Sequence, residues 1–161
     1  MIEHKATFMY KVRTSTKAIV IRDGRLLVTR NRDAVGDWYI LPGGGQNHNE
    51  PLHEALHREF DEEVGGEIAI GPLRFVRDYI SNNHEFADED GNFHQVEFYF
   101  ECELLTEIDD TPGHTPDAYQ HGVAWLEIEK LEQYRLYPKQ FQQLLKNPNW
   151  REMDIYLGDI N

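Results

Sequence analysis

Aliphatic and β-branched residues concentrate in two short runs, 17–22 and 25–30, on either side of Asp23-Gly24, a pair that favours a tight turn. The pattern predicts a β-hairpin. A further short run, 38–41, stops at Pro42-Gly43-Gly44-Gly45. From residue 51 the period changes: Leu52, Leu56, Phe60 and Val64 recur at steps of four, Pro51 is the only Pro or Gly until Gly65-Gly66, and a helix over 51–64 follows. Strands are predicted at 67–80, with a break at Gly71-Pro72, at 93–105 and at 123–128, and a second helix at 138–146. Polar stretches at 81–92 and 106–122 read as loops, long enough to carry function. Strands, helix, strands, helix implies an α/β (α+β) fold, a mixed sheet covered by helices.

The 161 residues suit one domain spanning 1–161, with residues 1–10 as an N-terminal arm, and no internal repeat or long linker divides them. At 40% hydrophobic residues the chain is an ordinary globular one. Charge changes the picture more. A formal net charge of −13 repels nucleic-acid polymers and anionic membranes, so a polyanionic substrate would need a divalent cation to bridge it. The single cysteine, Cys102, excludes an intrachain disulfide framework and reads as a small strand residue. With no secretory or membrane-spanning run in view, a cytoplasmic location is expected.

The chemistry concentrates between Gly43 and Gly66. On a helical wheel Glu54 and Asp61 point away from the apolar stripe, as solvated acids do, whereas Glu59, Glu62 and Glu63 fill an arc of about 100° beside it. Three carboxylates at the edge of a core repel one another and need compensating cations or protonation. Arg58 supplies one positive charge; a cluster of hard oxygen donors suits Mg²⁺ or Mn²⁺. The glycine-rich turn before the helix lets backbone groups approach a ligand closely.

The segment resembles the Nudix hydrolase box, Gly-x5-Glu-x7-Arg-Glu-U-x-Glu-Glu-x-Gly-U with U apolar: Gly44, Glu50, Arg58, Glu59, Phe60, Glu62, Glu63 and Gly65 match, and Gly66 departs where an aliphatic residue is wanted. Trp38 and Leu41-Pro42-Gly43-Gly44 also look like the family. The resemblance implies an α/β/α sandwich in which the box forms a loop and helix holding divalent metal, and hydrolysis of a nucleoside diphosphate linked to another group by water attack on phosphorus. Carried over, Glu59 and Glu63 are metal ligands, Glu62 is a third ligand or the group that activates water, the Gly43 carbonyl is a further ligand, and Glu50 with Arg58 braces the loop. Gly44 and Gly65 are structural. The expected substrate is a small nucleotide, with homodimers common among relatives.

Other signals compete. His53-Glu54-Ala55-Leu56-His57 is an HExxH match, which in a zinc peptidase would bind metal, but no third ligand stands at a familiar spacing. A catalytically silent nucleotide sensor of the same fold is the other alternative, although all the box glutamates are retained. A later acid is often recruited in the family; Glu97, Glu101, Glu103 and Asp117 are not separated by the sequence, and each is equally well a solvated residue. Arg30 and Arg32 are candidates for substrate phosphate. Trp38, Tyr39, Phe86 and Tyr119 are candidates for base stacking, Trp38 more readily as a buried residue. His84, His94, His114 and His121 lack a metal-like spacing. No proline follows Gly65 at the distance that marks typical ADP-ribose pyrophosphatases, no Ser-Gln-Pro-Trp-Pro stretch marks an NADH pyrophosphatase, and Tyr79 lies somewhat nearer the box than the tyrosine of dinucleoside polyphosphate hydrolases.

Overall fold

The structure is a computed structural model that describes residues 10–111, 113 and 115–161. Residues 1–9 of the expected arm, and His114, lie outside the described residues. The hairpin is formed by β1 (Val12–Arg22) and β2 (Arg25–Arg32), which turn at Asp23-Gly24 and pair Ile21 with Leu26. β3 (Asp37–Ile40) pairs antiparallel with β2. Next come a three-residue strand, β4 (Gly43–Gly45), and the helix α1 (Leu52–Val64). Two long strands, β5 (Ile68–Ile80) and β6 (His94–Leu104), are separated by a 3-10 turn and the short helix α2 (Ala87–Asp90). β7 (Gln120–Glu127), β8 (Leu136–Tyr137), α3 (Phe141–Leu144) and β9 (Tyr156–Asp159) complete the chain.

The strands order as β8-β3-β2-β1-β6-β5-β9, with β4 also on β1 and β7 also on β2; β1 runs parallel to β6 while most other pairs are antiparallel. Alternation along β1 splits the core between the two faces. Ala18 and Val20 face α1, whose Leu56, Phe60 and Val64 pack on Leu27, Phe100 and Val123. Ile19 faces the other way, into a cluster of Leu26, Val28, Phe75, Tyr99, Phe141 and Trp150. Burying both faces removes enough apolar surface, at about 25 cal/mol per Å², to hold the sheet between two layers. No helix among the described residues is long and apolar enough to cross a membrane.

Several expectations change in detail. The glycine turn is partly a strand, because Gly43–Gly45 pair with Ser15–Lys17 of β1. Gly71-Pro72 does not break β5; register shifts between Ile70, Leu73 and Phe75 absorb the irregularity, as a bulge does. The second helix contracts to Phe141–Leu144. β9 has no apolar alternation to announce it, since polar bonds hold it: the Asp159 carboxylate accepts from the Ile80 N–H at 3.0 Å and from Asn83 at 2.8 Å, and pairs with His84 at 2.6 Å.

Candidate functional site

Pairing of β4 with β1 sets Gly43 opposite Lys17, and the two faces of that one glycine carry the geometry of the site. Its N–H donates to Glu63 Oε2 at 2.9 Å and its carbonyl accepts from Lys17 Nζ at 2.9 Å. At Gly44 an added Cβ would collide with the Glu59 carboxylate, so the absence of a side chain is what lets the acidic turn of α1 lie against β4. Arg58 braces the loop to the helix: it donates to both oxygens of Glu50, at 2.7 and 2.9 Å, to the Gly45 carbonyl at 2.9 Å and to Glu59 at 2.7 Å. It reaches Glu62 only at 3.5 Å. The Arg58 guanidinium, with the Asn47 N–H, holds the Glu50 carboxyl down to about 2.

Glu63 is in the opposite situation. Only 3% of the residue is exposed, and burial pushes its carboxyl up to about 7; the Lys17 ammonium and the Gly43 N–H oppose this, while the charges of Asp117 and Glu59 reinforce it. One ammonium and one N–H do not offset its burial and the two neighbouring acids. The donors of this turn, the carboxylates of Glu59, Glu62 and Glu63 and the Gly43 carbonyl, are all hard oxygens, and the glycine cradle admits Glu59, so their chemistry fits a divalent cation of the Mg²⁺ or Mn²⁺ type. Among the described residues no three His, Cys, Asp or Glu side chains already converge as a formed cluster, because Glu59 and Glu62 turn towards Arg58.

The far end of α1 is strapped by the loop that precedes β7. The helix ends at Gly65 in the left-handed conformation (φ 75°), and carbonyls of its last turn are taken by that loop and the first residue of β7: Gly113 N–H donates to Glu63 O at 2.8 Å, Thr115 N–H to Glu62 O at 2.9 Å, and Gln120 Nε2 to Glu63 O at 2.8 Å. Of the four later acids, this loop brings Asp117 within electrostatic reach of Glu63. Glu97 goes to the other face of the sheet, where it is buried against Arg77 at 2.6 Å, Gln95 and the Tyr99 hydroxyl. Glu101 is held by Arg74 and Arg151, and Glu103 is exposed. The strand face of Glu97 and Glu101 is therefore not a solvated one.

Arg32 is exposed and pairs with Asp37 at 2.7 Å, which raises the pKa of the one and lowers that of the other; among the described residues no ion pair joins it to Glu59, Glu62 or Glu63. Arg30 is half-buried beside Gly122, and its buried Nε finds no partner among the described residues. His53 stacks edge-on to Phe100 (ring centroids 5.0 Å apart) and His57 is exposed, an arrangement of helix-flank residues rather than of two ligands. Trp38 and Phe86 both pack edge-on against Tyr137, Tyr39 packs on Tyr134, and Tyr119 is exposed. Tyr79 is buried and its hydroxyl donates to Asp90 at 2.5 Å. Of the residues that line the acidic turn, Lys17 escaped the sequence reading. Its signal is a lone cation in the middle of β1, with no other charged residue from Thr14 to Ile21.

The family model of the NUDIX domain matches residues 11–146, which takes in the hairpin, the glycine strand, the acidic helix and the strands around them. The chain belongs to the Nudix family. Its fold is similar to that of a Nudix hydrolase from Nitrosomonas europaea (TM-score 0.69, 18% identity, 95% of this chain and 81% of that one) and to that of a UDP-X diphosphatase (TM-score 0.68, 21% identity, 96% and 71%). A MutT Nudix hydrolase from Burkholderia pseudomallei is 27% identical over 74% of this chain and 85% of its own, at a TM-score of 0.55. A search of curated proteins returns no match. The mixed sheet with helices anticipated for a Nudix protein is the fold observed.

Proposed function

We propose that this Nudix protein hydrolyses a phosphoric anhydride in a small nucleotide, a nucleoside triphosphate or nucleotide sugar, by attack of water on phosphorus at a site built on Glu59, Glu62, Glu63 and the Gly43 carbonyl. One observation carries the reading: Glu63 is buried on the acidic turn against the Gly43 N–H, and burial pushes its carboxyl up to about 7, an arrangement that a bound cation would relieve. When bound, Mg²⁺ or Mn²⁺ supplies charge neutralisation of the pyrophosphate and acidification of water. Glu59, Glu63 and the Gly43 carbonyl are the direct ligands in this reading, and Glu62, the most exposed of the three acids at 35% of its side chain, is a third ligand or accepts the proton of the attacking water. Arg58 and Glu50 keep the loop against the helix, so the backbone that carries these groups is in place and Glu59 and Glu62 have only their side chains to turn from Arg58.

The same logic accounts for substrate class. A chain of net charge −13 binds a polyanion through cations rather than through a basic surface, which favours a small nucleotide over a nucleic-acid polymer. Asp117 is the later acid this reading adds, since it shares the field of Glu63. Of the two arginines, Arg32 is engaged by Asp37, so Arg30, half-buried beside Gly122, is the one this reading keeps for substrate phosphate. The single cysteine, a buried free Cys102, fits a reducing, cytoplasmic setting. The test is a phosphate-release screen over triphosphates, nucleotide sugars and dinucleotides with Mg²⁺ and Mn²⁺ compared. Metal-dependent turnover of at least one class is expected; nucleotide binding without turnover at saturating metal would replace the hydrolase with a ligand sensor.

A further inference from the structure

Lys17 is the residue the proposed chemistry leaves unused. It sits in the middle of β1 between Thr16 and Ala18, both fully buried, and only 8% of it is exposed. An ammonium in such a place costs free energy unless negative groups surround it. Those groups are identifiable. Nζ donates to the Gly43 carbonyl at 2.9 Å, and the charge acts on two buried carboxylates, lowering Glu63 on one side and Glu97 on the other. Glu97 already has Arg77, Gln95 and Tyr99. Glu63 has, besides Lys17, the N–H of the same glycine whose carbonyl Lys17 holds.

We propose that Lys17 is an internal counter-cation of the acidic turn, a positioning residue that holds the Gly43 carbonyl in the metal-free protein and weakens the affinity of the site for a divalent ion. This rests on the reading of Gly43 and Glu63 as metal ligands. A divalent ion entering there shares two of its donors with a fixed positive charge: the carbonyl Lys17 binds and the carboxylate it stabilises. Attraction between the ion and the acids is thereby reduced, and the lysine keeps metal exchangeable in the absence of substrate phosphates. Removing one unit charge from beside a divalent ion is worth about tenfold in affinity even at the dielectric constant of water.

The experiment compares Mn²⁺ binding, read as free Mn²⁺ by electron paramagnetic resonance, in the wild-type protein, Lys17→Gln and Lys17→Arg. Glutamine keeps an N–H donor for the Gly43 carbonyl and loses the charge; arginine keeps the charge. Lys17→Gln is expected to bind Mn²⁺ about tenfold more tightly and Lys17→Arg to stay near wild type. Equal or weaker binding by Lys17→Gln overturns the role of Lys17. Glu63→Gln, run alongside, separates the two readings: if it abolishes binding while Lys17→Gln changes nothing, only the counter-cation falls, whereas wild-type protein that binds no Mn²⁺ removes both. Should Lys17→Gln fail to fold, the wild-type Lys17 side-chain ¹³Cε and ¹⁵Nζ resonances are followed during a Mg²⁺ titration. A saturable shift is expected, and its absence overturns the proposal.

Discussion

Glu63 and Glu97 are the same residue type, almost equally buried at 3% and 4% exposed, and both lie in the field of Lys17, yet one carboxyl is pushed up to about 7 and the other held down to about 2. The difference is in the partners. Burial works against both charges, but Glu97 has a guanidinium at 2.6 Å, and Arg77, with Lys17 and the Tyr99 hydroxyl, overcomes it. Glu63 takes an N–H from Gly43 and faces two further acids, Asp117 and Glu59. A buried carboxylate whose charge is fully matched within the chain fixes structure; one left short of positive charge marks a place where something from outside completes it.

The largest effects should come from removing charge at each centre in turn. Glu59→Gln and Glu63→Gln are expected to leave a folded protein with turnover down about a thousandfold, measured as phosphate release under saturating Mg²⁺. Glu97→Gln should do the reverse, destabilising the fold by about 3–5 kcal/mol in urea titrations by leaving Arg77 buried without its partner, while metal affinity of the folded fraction persists. Near-normal turnover in the first pair, or normal stability in the last, would erase the contrast.

Smaller effects sharpen it. Gln120→Leu removes the donor to the Glu63 carbonyl at the end of α1 and should cost about 1 kcal/mol of stability with a several-fold fall in kcat and little change in KM. An alanine at position 113 presses its Cβ to 2.5 Å from the Glu62 carbonyl and should act in the same direction. The smallest effect concerns β9 and pH. Hydrogen bonds from His94 and Tyr156 lower the Asp78 carboxyl; burial raises that of Asp159, but Asn83, His84 and the Ile80 N–H outweigh it, and both acids end below the ordinary range. Acids lowered by folding stabilise above their unfolded value and lose that contribution as pH falls, so thermal stability should decline below about pH 4. Asp159→Asn should flatten that decline, which a series of melting curves would register.

Much of this was legible before any coordinates. The step-of-four stripe and its Pro and Gly boundaries located α1, and the same wheel set Glu59, Glu62 and Glu63 apart from Glu54 and Asp61, because amphipathic period is a local property. What stayed hidden was non-local. That Glu97 belongs to Arg77, 20 residues away, and that Asp117 approaches Glu63 depends on which strands pair and where a loop returns, and no spacing encodes either. Nor does sequence period reveal a three-glycine strand: Gly43–Gly45 has no side chains to alternate, and only its partner β1 makes it one.

The central claim is that the acidic turn of α1, unlike the Glu97 cluster, binds a divalent ion. Titrating Mn²⁺ into the wild-type protein, Glu63→Gln and Glu97→Gln and counting bound ions tests it most directly. Saturable binding in the wild type that Glu63→Gln abolishes and Glu97→Gln preserves is the predicted result; binding that survives Glu63→Gln and disappears in folded Glu97→Gln would contradict it.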